Sequence, residues 1–247
     1  MEDLYKFMNW GDYNQRIEEL ASMALPEQWS FTGKNDNGIL KNYMAYTFDR
    51  LKTEGKIYIS DDICVFNTGL FTPYYESICV CAETKSTKDD RYWKFRGFMT
   101  DYDIGLLGIK DVPERADYFY DPSLLVFNCN LPIIIQYRHI LDDSENRKRL
   151  PGFVVDSDMP INILKGTIDT AIKRVIANYK LAVPQYFNGK IQLLIPLYFS
   201  SYDRPDIALV VTRYDEGFYL GHTCISLEMA YNNARLIARP DSNWLIP

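Results

Sequence analysis

Histidine is nearly absent from this 247-residue chain, which has only His139 and His222, and its five cysteines are odd in number with no C-x-x-C pair. Cys79 and Cys81 form C-x-C with no second pair to complete a ligand set, so no zinc site or other metal centre is expected. Cys64, Cys79, Cys81, Cys129 and Cys224 lie mostly within apolar, strand-like runs, where a free thiol behaves as a small buried hydrophobe. That usage points to a reducing compartment. No run approaches the roughly 18 consecutive apolar residues of a membrane span. The first ten residues mix acidic, aromatic and polar types instead of opening on a cationic and then an apolar segment. A cytoplasmic protein with no membrane association is the expectation. An excess of positive charge is also missing: the net charge is −6, whereas a surface that coats duplex nucleic acid needs many Lys and Arg to neutralise phosphates. A local basic groove remains compatible with that balance. Finally, there is no G-x-x-x-x-G-K-S/T phosphate loop, no G-x-G-x-x-G and no G-x-S-x-G nucleophile elbow.

What is present is an ordinary globular composition, 47% apolar and 24% charged, in a chain long enough to bury roughly 70–75% of its unfolded surface without help from disulfides. Aromatic residues reach 15%, with 19 Tyr and 13 Phe. Tyr can line a base-stacking surface, but it is also a common strand residue, and core and sheet faces are the preferred reading. No repeat or low-complexity tract appears, and Gly and Pro are scattered as turn punctuation. Residues 1–247 therefore read as a single globular α+β domain, with mostly antiparallel sheet packed against a long amphipathic helix and several shorter helices.

Leu40, Tyr43, Met44, Phe48 and Leu51 recur at helical spacing between Asn37, a candidate N-cap, and Gly55, a candidate C-terminal glycine. From Lys56 to about Asp111 the pattern shifts to short β-rich runs separated by turn residues, which predicts an antiparallel meander. Leu124 to Asn128 and Pro132 to Ile140 read as further strands, the second leading into a charged loop from Asp142 to Arg149. Ile161, Leu164, Ile168, Ala171, Ile172, Val175 and Tyr179 mark a long amphipathic helix with Asp158 near its N-cap and Pro160 in its first turn. Pro184 then reads as a helix stop in a turn with Gln185 and Tyr186. Ile191–Phe199 and Ile207–Arg213 read as central strands, Tyr219–Ser226 as a last strand, and Leu227–Leu236 as a short helix before a tail anchored by Trp244.

His139 at a predicted strand end, followed by Arg147, Lys148 and Arg149, suits an acid or base beside a phosphate-binding loop. A hydrogen-bonded structural His explains the same letters. Arg174, Asn178, Lys180, Gln185 and Tyr186 can ring a groove, with a cation on phosphate and Tyr186 stacked on a base; a cation complementing a helix C-terminus is the plainer alternative. Tyr231, Asn232, Asn233, Arg235 and Arg239 supply amides, guanidinium groups and a ring, equally suited to reading a base or to fixing a buried polar network. Asp203 and Asp206 have a spacing that can hold a hydrated magnesium ion, but Arg204 between them weakens that, and turn residues with a surface ion pair are the preferred reading. His222 beside Thr223 and Cys224 is a weak signal, because adjacent strand residues face opposite ways.

Asn67-Thr68-Gly69-Leu70, Asn178-Tyr179-Lys180, Ala182-Val183-Pro184-Gln185-Tyr186, Asp206-Ile207-Ala208-Leu209, Ala230-Tyr231-Asn232-Asn233-Ala234-Arg235-Leu236 and the closing Arg239-Pro240-Asp241-Ser242-Asn243-Trp244 fall in an order that resembles the bacterial domain-of-unknown-function 3825 family. The resemblance covers most of the chain. It implies a nucleic-acid context, because that family is associated with architectures containing cold-shock and LOTUS-type helix-turn-helix modules. It directs attention to Asn67, Asn178, Lys180, Gln185, Asn232, Asn233 and Arg235, and extends around His139 and Arg149 but not to His222. The resulting expectation is an RNA- or nucleotide-binding domain, with hydrolysis of a phosphoester as an open extension. In it Arg149, Lys180, Arg235 and Arg239 contact phosphate, Tyr186 and Tyr231 stack, and His139 is the acid or base. The alternative is a non-catalytic protein-interaction or self-associating domain. No cofactor is assigned, and a homo-oligomer is compatible with either reading.

Overall fold

The computed structural model describes residues 2–87 and 90–247, and the chain gathers into two units. One holds the chain up to Asp117 together with Pro247, the other Tyr118–Ile246. The fold is α+β, as expected, with a five-stranded sheet in each unit.

The first unit runs α1 (Glu2–Phe7), β1 (Met8–Asn9), α2 (Tyr13–Met23), α3 (Gly38–Glu54), β2 (Tyr58–Ile59), β3 (Ile63–Phe71), β4 (Ser77–Thr87), β5 (Asp90–Met99) and α4 (Asp101–Leu106). Strands β2 to β5 form the antiparallel meander that the alternating runs predict, and β1 adds to its far edge in parallel with β5. Helix α3 buries Leu40, Tyr43, Met44, Phe48 and Leu51, the residues that set its period. Gly55 ends it with a φ of 68°, the left-handed conformation that glycine adopts without penalty. Asn37 does precede the helix, but its side chain makes no capping bond. Asp36 Oδ1 takes the Gly38 N–H at 2.9 Å instead, and Ser30 Oγ takes the Asn37 N–H at 2.9 Å.

The second unit contains β6 (Ile133–Ile135), α5 (Tyr137–Asp142), α6 (Ser144–Arg149), α7 (Gly152–Val155), α8 (Pro160–Ala177), β7 (Val183–Phe187), β8 (Lys190–Leu197), β9 (Ile207–Tyr214), β10 (Phe218–Ile225) and α9 (Leu227–Ile237). Its sheet order is β6-β10-β9-β8-β7, antiparallel except for the parallel β6–β10 pair. Leu193, Ile195 and Leu197 of β8 and Ile207, Leu209 and Val211 of β9 form one core with Leu164, Ile168, Ala171 and Val175 of α8. The intervening Leu194, Ala208 and Val210 are buried too. Strands buried on both faces read as continuous apolar runs, which is why β8 and β9 were recognisable as central. In the long helix Pro160 occupies the first turn as expected, but no side chain caps it, and Tyr179 falls outside it in a 3₁₀ turn.

The structure corrects four expectations. Leu124–Asn128 is not a strand: Pro122–Leu125 forms a 3₁₀ turn whose Asp121 side chain accepts from the Ser123 N–H at 2.9 Å. The strand expected over Pro132–Ile140 is confined to Ile133–Ile135, and the charged "loop" after it is helix α6. Asp143 caps α6 by accepting from the N–H groups of Glu145 and Asn146, while Arg147, Lys148 and Arg149 fill its last turn, where cations complement the dipole. Pro184 does not close a turn but lies within β7, an edge strand, where its missing N–H is tolerated. Asn188 and Gly189, both at positive φ, make the tight β7–β8 hairpin.

Candidate functional site

The register of β10 against β9 slips at one point: Gly221 pairs with Val211 and Thr223 with Val210, so His222 is the extra residue of a β-bulge. An inserted residue leaves the strict alternation of a strand, and bulges of this kind re-aim side chains next to active sites. Short β6 runs beside β10, and the Gln136 N–H donates to the Gly221 carbonyl at 2.9 Å, which holds the start of α5 against the bulge. Gly221 permits this approach, since a Cβ there would come within 2.7 Å of Ile135 Cδ1. One turn into α5 lies His139, whose ring centroid is 5.9 Å from that of His222, the planes inclined by 33°. The two histidines of the chain, 83 residues apart in sequence by the difference of their numbers, are neighbours.

Helix α6 fixes the other side of the bulge. Asn146, 3% exposed, accepts through Oδ1 from the Thr223 hydroxyl at 2.6 Å and from the Cys224 N–H at 3.0 Å. Arg149 donates through one Nη to the Cys224 carbonyl at 3.0 Å. The N–H of Asn146, above all, holds the Asp143 carboxyl below the ordinary carboxylate range, aided by the N–H of Glu145 and the charges of His139 and Arg149. Burial first, and the facing His139 second, hold the His222 imidazole below its usual range. Among the described residues, the buried His222 Nδ1 has no hydrogen-bond partner. A buried polar atom left unpaired costs about 1–3 kcal/mol, and such atoms in native structures call for a functional or strain-related reason. His139, by contrast, is exposed and lines an open depression of about 730 Å³ with Gln136, Tyr137, Arg138, Asp142 and Asp143.

A second concavity, of about 270 Å³, lies between the 3₁₀ turn at Tyr179–Leu181, β7 and the end of α9. Leu125, Val126, Val183, Pro184, Ala234 and Ile237 give it apolar walls, and Lys180, Arg239 and Asp241 give it charge. Lys180 and Arg239 are both exposed, and among the described residues no carboxylate lies within ion-pairing distance of either.

Asn178 caps the 3₁₀ turn, its Oδ1 accepting from the Lys180 N–H at 3.2 Å. Gln185, 1% exposed, accepts from Asn233 Nδ2 at 3.1 Å and donates to Gln192 at 2.9 Å, and Gln192 donates to Thr212 Oγ1 at 2.9 Å. Asn233 and Gln185 are thus members of a polar chain that crosses the sheet from α9 to β9. The buried Asn232 Oδ1 has no hydrogen-bond partner among the described residues. Tyr186 meets Tyr118 edge-on at 4.9 Å. Tyr231 and Arg235 are 2% and 8% exposed, so the stacking face and the phosphate contact expected of them point into the fold. Asn67 lies in the first unit, where Nδ2 donates to the Pro113 carbonyl at 2.9 Å and Oδ1 accepts from the Gly69 N–H at 2.8 Å. Among the described residues, no group of three or more His, Cys, Asp or Glu side chains is placed to hold a metal ion, and no helix is long and apolar enough to cross a membrane.

The family model for a domain of unknown function, DUF3825, matches residues 20–244. The chain belongs to this family. The DUF3825 match runs through both units, and it takes in the bulge of β10, both histidines and the apolar pocket. No curated protein and no solved structure matches the chain. His222 is only a weak signal in the sequence, because adjacent strand residues face opposite ways and the bulge that carries it shows only in the pairing of β10 with β9.

Proposed function

We propose that this DUF3825 domain binds RNA or a nucleotide through its second unit. The observation that carries the reading is the apolar pocket bordered by Lys180 and Arg239. Ligand pockets are mostly apolar with a few placed polar groups, and commonly fall at about 300–1,000 Å³. A volume of about 270 Å³ suits a nucleobase or one nucleotide better than a folded oligonucleotide. Two cations without carboxylate partners among the described residues suit the phosphates, and a chain with net charge −6 can bind single-stranded nucleic acid through such a local cationic site rather than a basic surface. In the same reading Arg149 contacts a second phosphate, and His139, exposed beside it on α5, exchanges a proton with a bound phosphoester.

Thermal unfolding across a panel of nucleotides, dinucleotides and short RNA oligomers, with and without magnesium, tests the binding, because a ligand specific for the native state raises the transition. One class is expected to raise it. The double variant Lys180→Ala/Arg239→Ala is expected to keep the ligand-free transition and lose the shift. A panel with no active member, together with a mass that grows with protein concentration, points instead to a protein-interaction or self-associating domain.

A further inference from the structure

We infer that His139 and His222 form a paired acid–base site that cleaves a ribose phosphodiester by internal transesterification. This rests on the RNA reading above and names the chemistry of its phosphoester step. His222 takes the proton of the 2′-hydroxyl, the 2′-oxygen attacks phosphorus, the bond from phosphorus to the 5′-oxygen breaks, and His139 protonates that oxygen. One P–O bond forms and one breaks, one proton leaves the substrate and one returns, and the products are a 2′,3′-cyclic phosphate and a 5′-hydroxyl. Water, oxidant and reductant are not consumed.

The geometry supports each assignment. Two rings with centroids 5.9 Å apart can both come to one phosphodiester, each serving one of the two oxygens that exchange a proton in the displacement. His222 is set on a bulge, a device that re-aims one side chain, and its depressed proton affinity keeps it neutral and able to act as base. His139 stands at the open depression, where a leaving alkoxide can be met. Among the described residues, the charged groups near the pair include Asp143 and Arg149 of the capped helix and the Arg138–Asp142 ion pair at 3.2 Å. Arg149 spends one Nη on the Cys224 carbonyl and can use the rest of its guanidinium fork on phosphate oxygens. An adjacent hydroxyl already tethered to the phosphorus needs only deprotonation, and such intramolecular attack carries a large effective concentration. For that reason the substrate class is a ribose diester and not a deoxyribose one.

The decisive experiment incubates the full chain with a 5′-labelled, single-stranded, mixed-sequence ribo-oligomer and with its all-2′-deoxy counterpart, following both binding and product ends. The ribo-oligomer is expected to be cut to fragments ending in 2′,3′-cyclic phosphate, while the deoxy-oligomer binds and stays intact. His139→Ala and His222→Ala should each slow cleavage by about 10²–10⁴-fold with binding retained. The wild-type rate should be bell-shaped in pH, losing its alkaline limb in His139→Ala and its acidic limb in His222→Ala. If His222→Ala fails to fold, His222→Gln and the wild-type profile decide the matter. Binding without cleavage, equal cutting of the deoxy-oligomer, or a full rate in either variant overturns the inference and leaves the binding reading in place. Neither binding nor cleavage overturns both.

Discussion

Replacing Asn146 with alanine removes the acceptor that ties α6 to the bulge of β10. Two donors lose their partner: the Cys224 N–H, 3.0 Å from Oδ1 on a fully buried residue, and the Thr223 hydroxyl at 2.6 Å. The amide of Cys224 cannot rotate towards water, so it carries the full penalty of an unsatisfied buried donor, about 1–3 kcal/mol, whereas the Thr223 hydroxyl can turn and loses about 1 kcal/mol. Together these give about 3 kcal/mol. At about 2–4 °C per kcal/mol for a chain of this length, Tm should fall by about 6–12 °C. A double-mutant cycle with Thr223→Val isolates the hydroxyl's share. In the valine background the alanine substitution should cost about 1 kcal/mol less than in the wild type, because one of the two orphaned donors is already gone. Urea denaturation of the four proteins measures each corner of the cycle. An Asn146→Ala midpoint within about 0.5 kcal/mol of wild type, the range of ordinary surface changes, refutes the assignment of Asn146 as the tie; additive corners refute the pairing with Thr223.

Two further outcomes are expected. Burial pushes the thiols of Cys64, Cys79 and Cys224 up to about 12 and also raises that of Cys81, while Cys129 is exposed; iodoacetamide at pH 8 should therefore add one group to the folded chain and five after denaturation, and mass spectrometry counts them. The proton affinity of folded His222 is depressed, so the unfolded chain binds more protons below its ordinary pKa of about 6.5. Stability from this residue is thus complete above about 6.5 and lost as pH falls through the depressed folded value. Asp143, His139 and Arg149 surround the same site, so the comparison is between wild type and His222→Gln: the variant should show the shallower loss of Tm between pH 7 and 5, and equal slopes contradict it.

The meander of the first unit, the helix bearing Phe48 and the α8–β8–β9–β10–α9 succession were legible because each rests on local period: alternation or 3.6-residue recurrence survives in sequence whatever it packs against. Where the reading failed, a local signal had two meanings. Pro184 stops a helix but is equally at home on a sheet edge, and only the pairing of β7 with β8 shows which applies. The charged stretch Asp142–Arg149 reads as a solvated loop until Asp143 is seen capping a helix and Asn146 is seen buried against β10. The Asn-rich segment of α9 admits two outcomes in sequence, and the fold takes the buried one: Asn233 joins the polar chain through Gln185, and Tyr231 turns inward.

By itself, then, the amino-acid sequence determined the α+β class, the burial of most of the cysteines and the family, because periodicity, composition and ordered short segments are properties of the chain read along its length. Only the tertiary structure decided that His139 and His222 are neighbours, that Arg149 is tied to the Cys224 carbonyl beside the bulge, and that Arg235 is buried. These are relations between residues far apart along the chain, and the β-bulge that carries His222 is a property of the pairing of β10 with β9, which no local pattern in the sequence records.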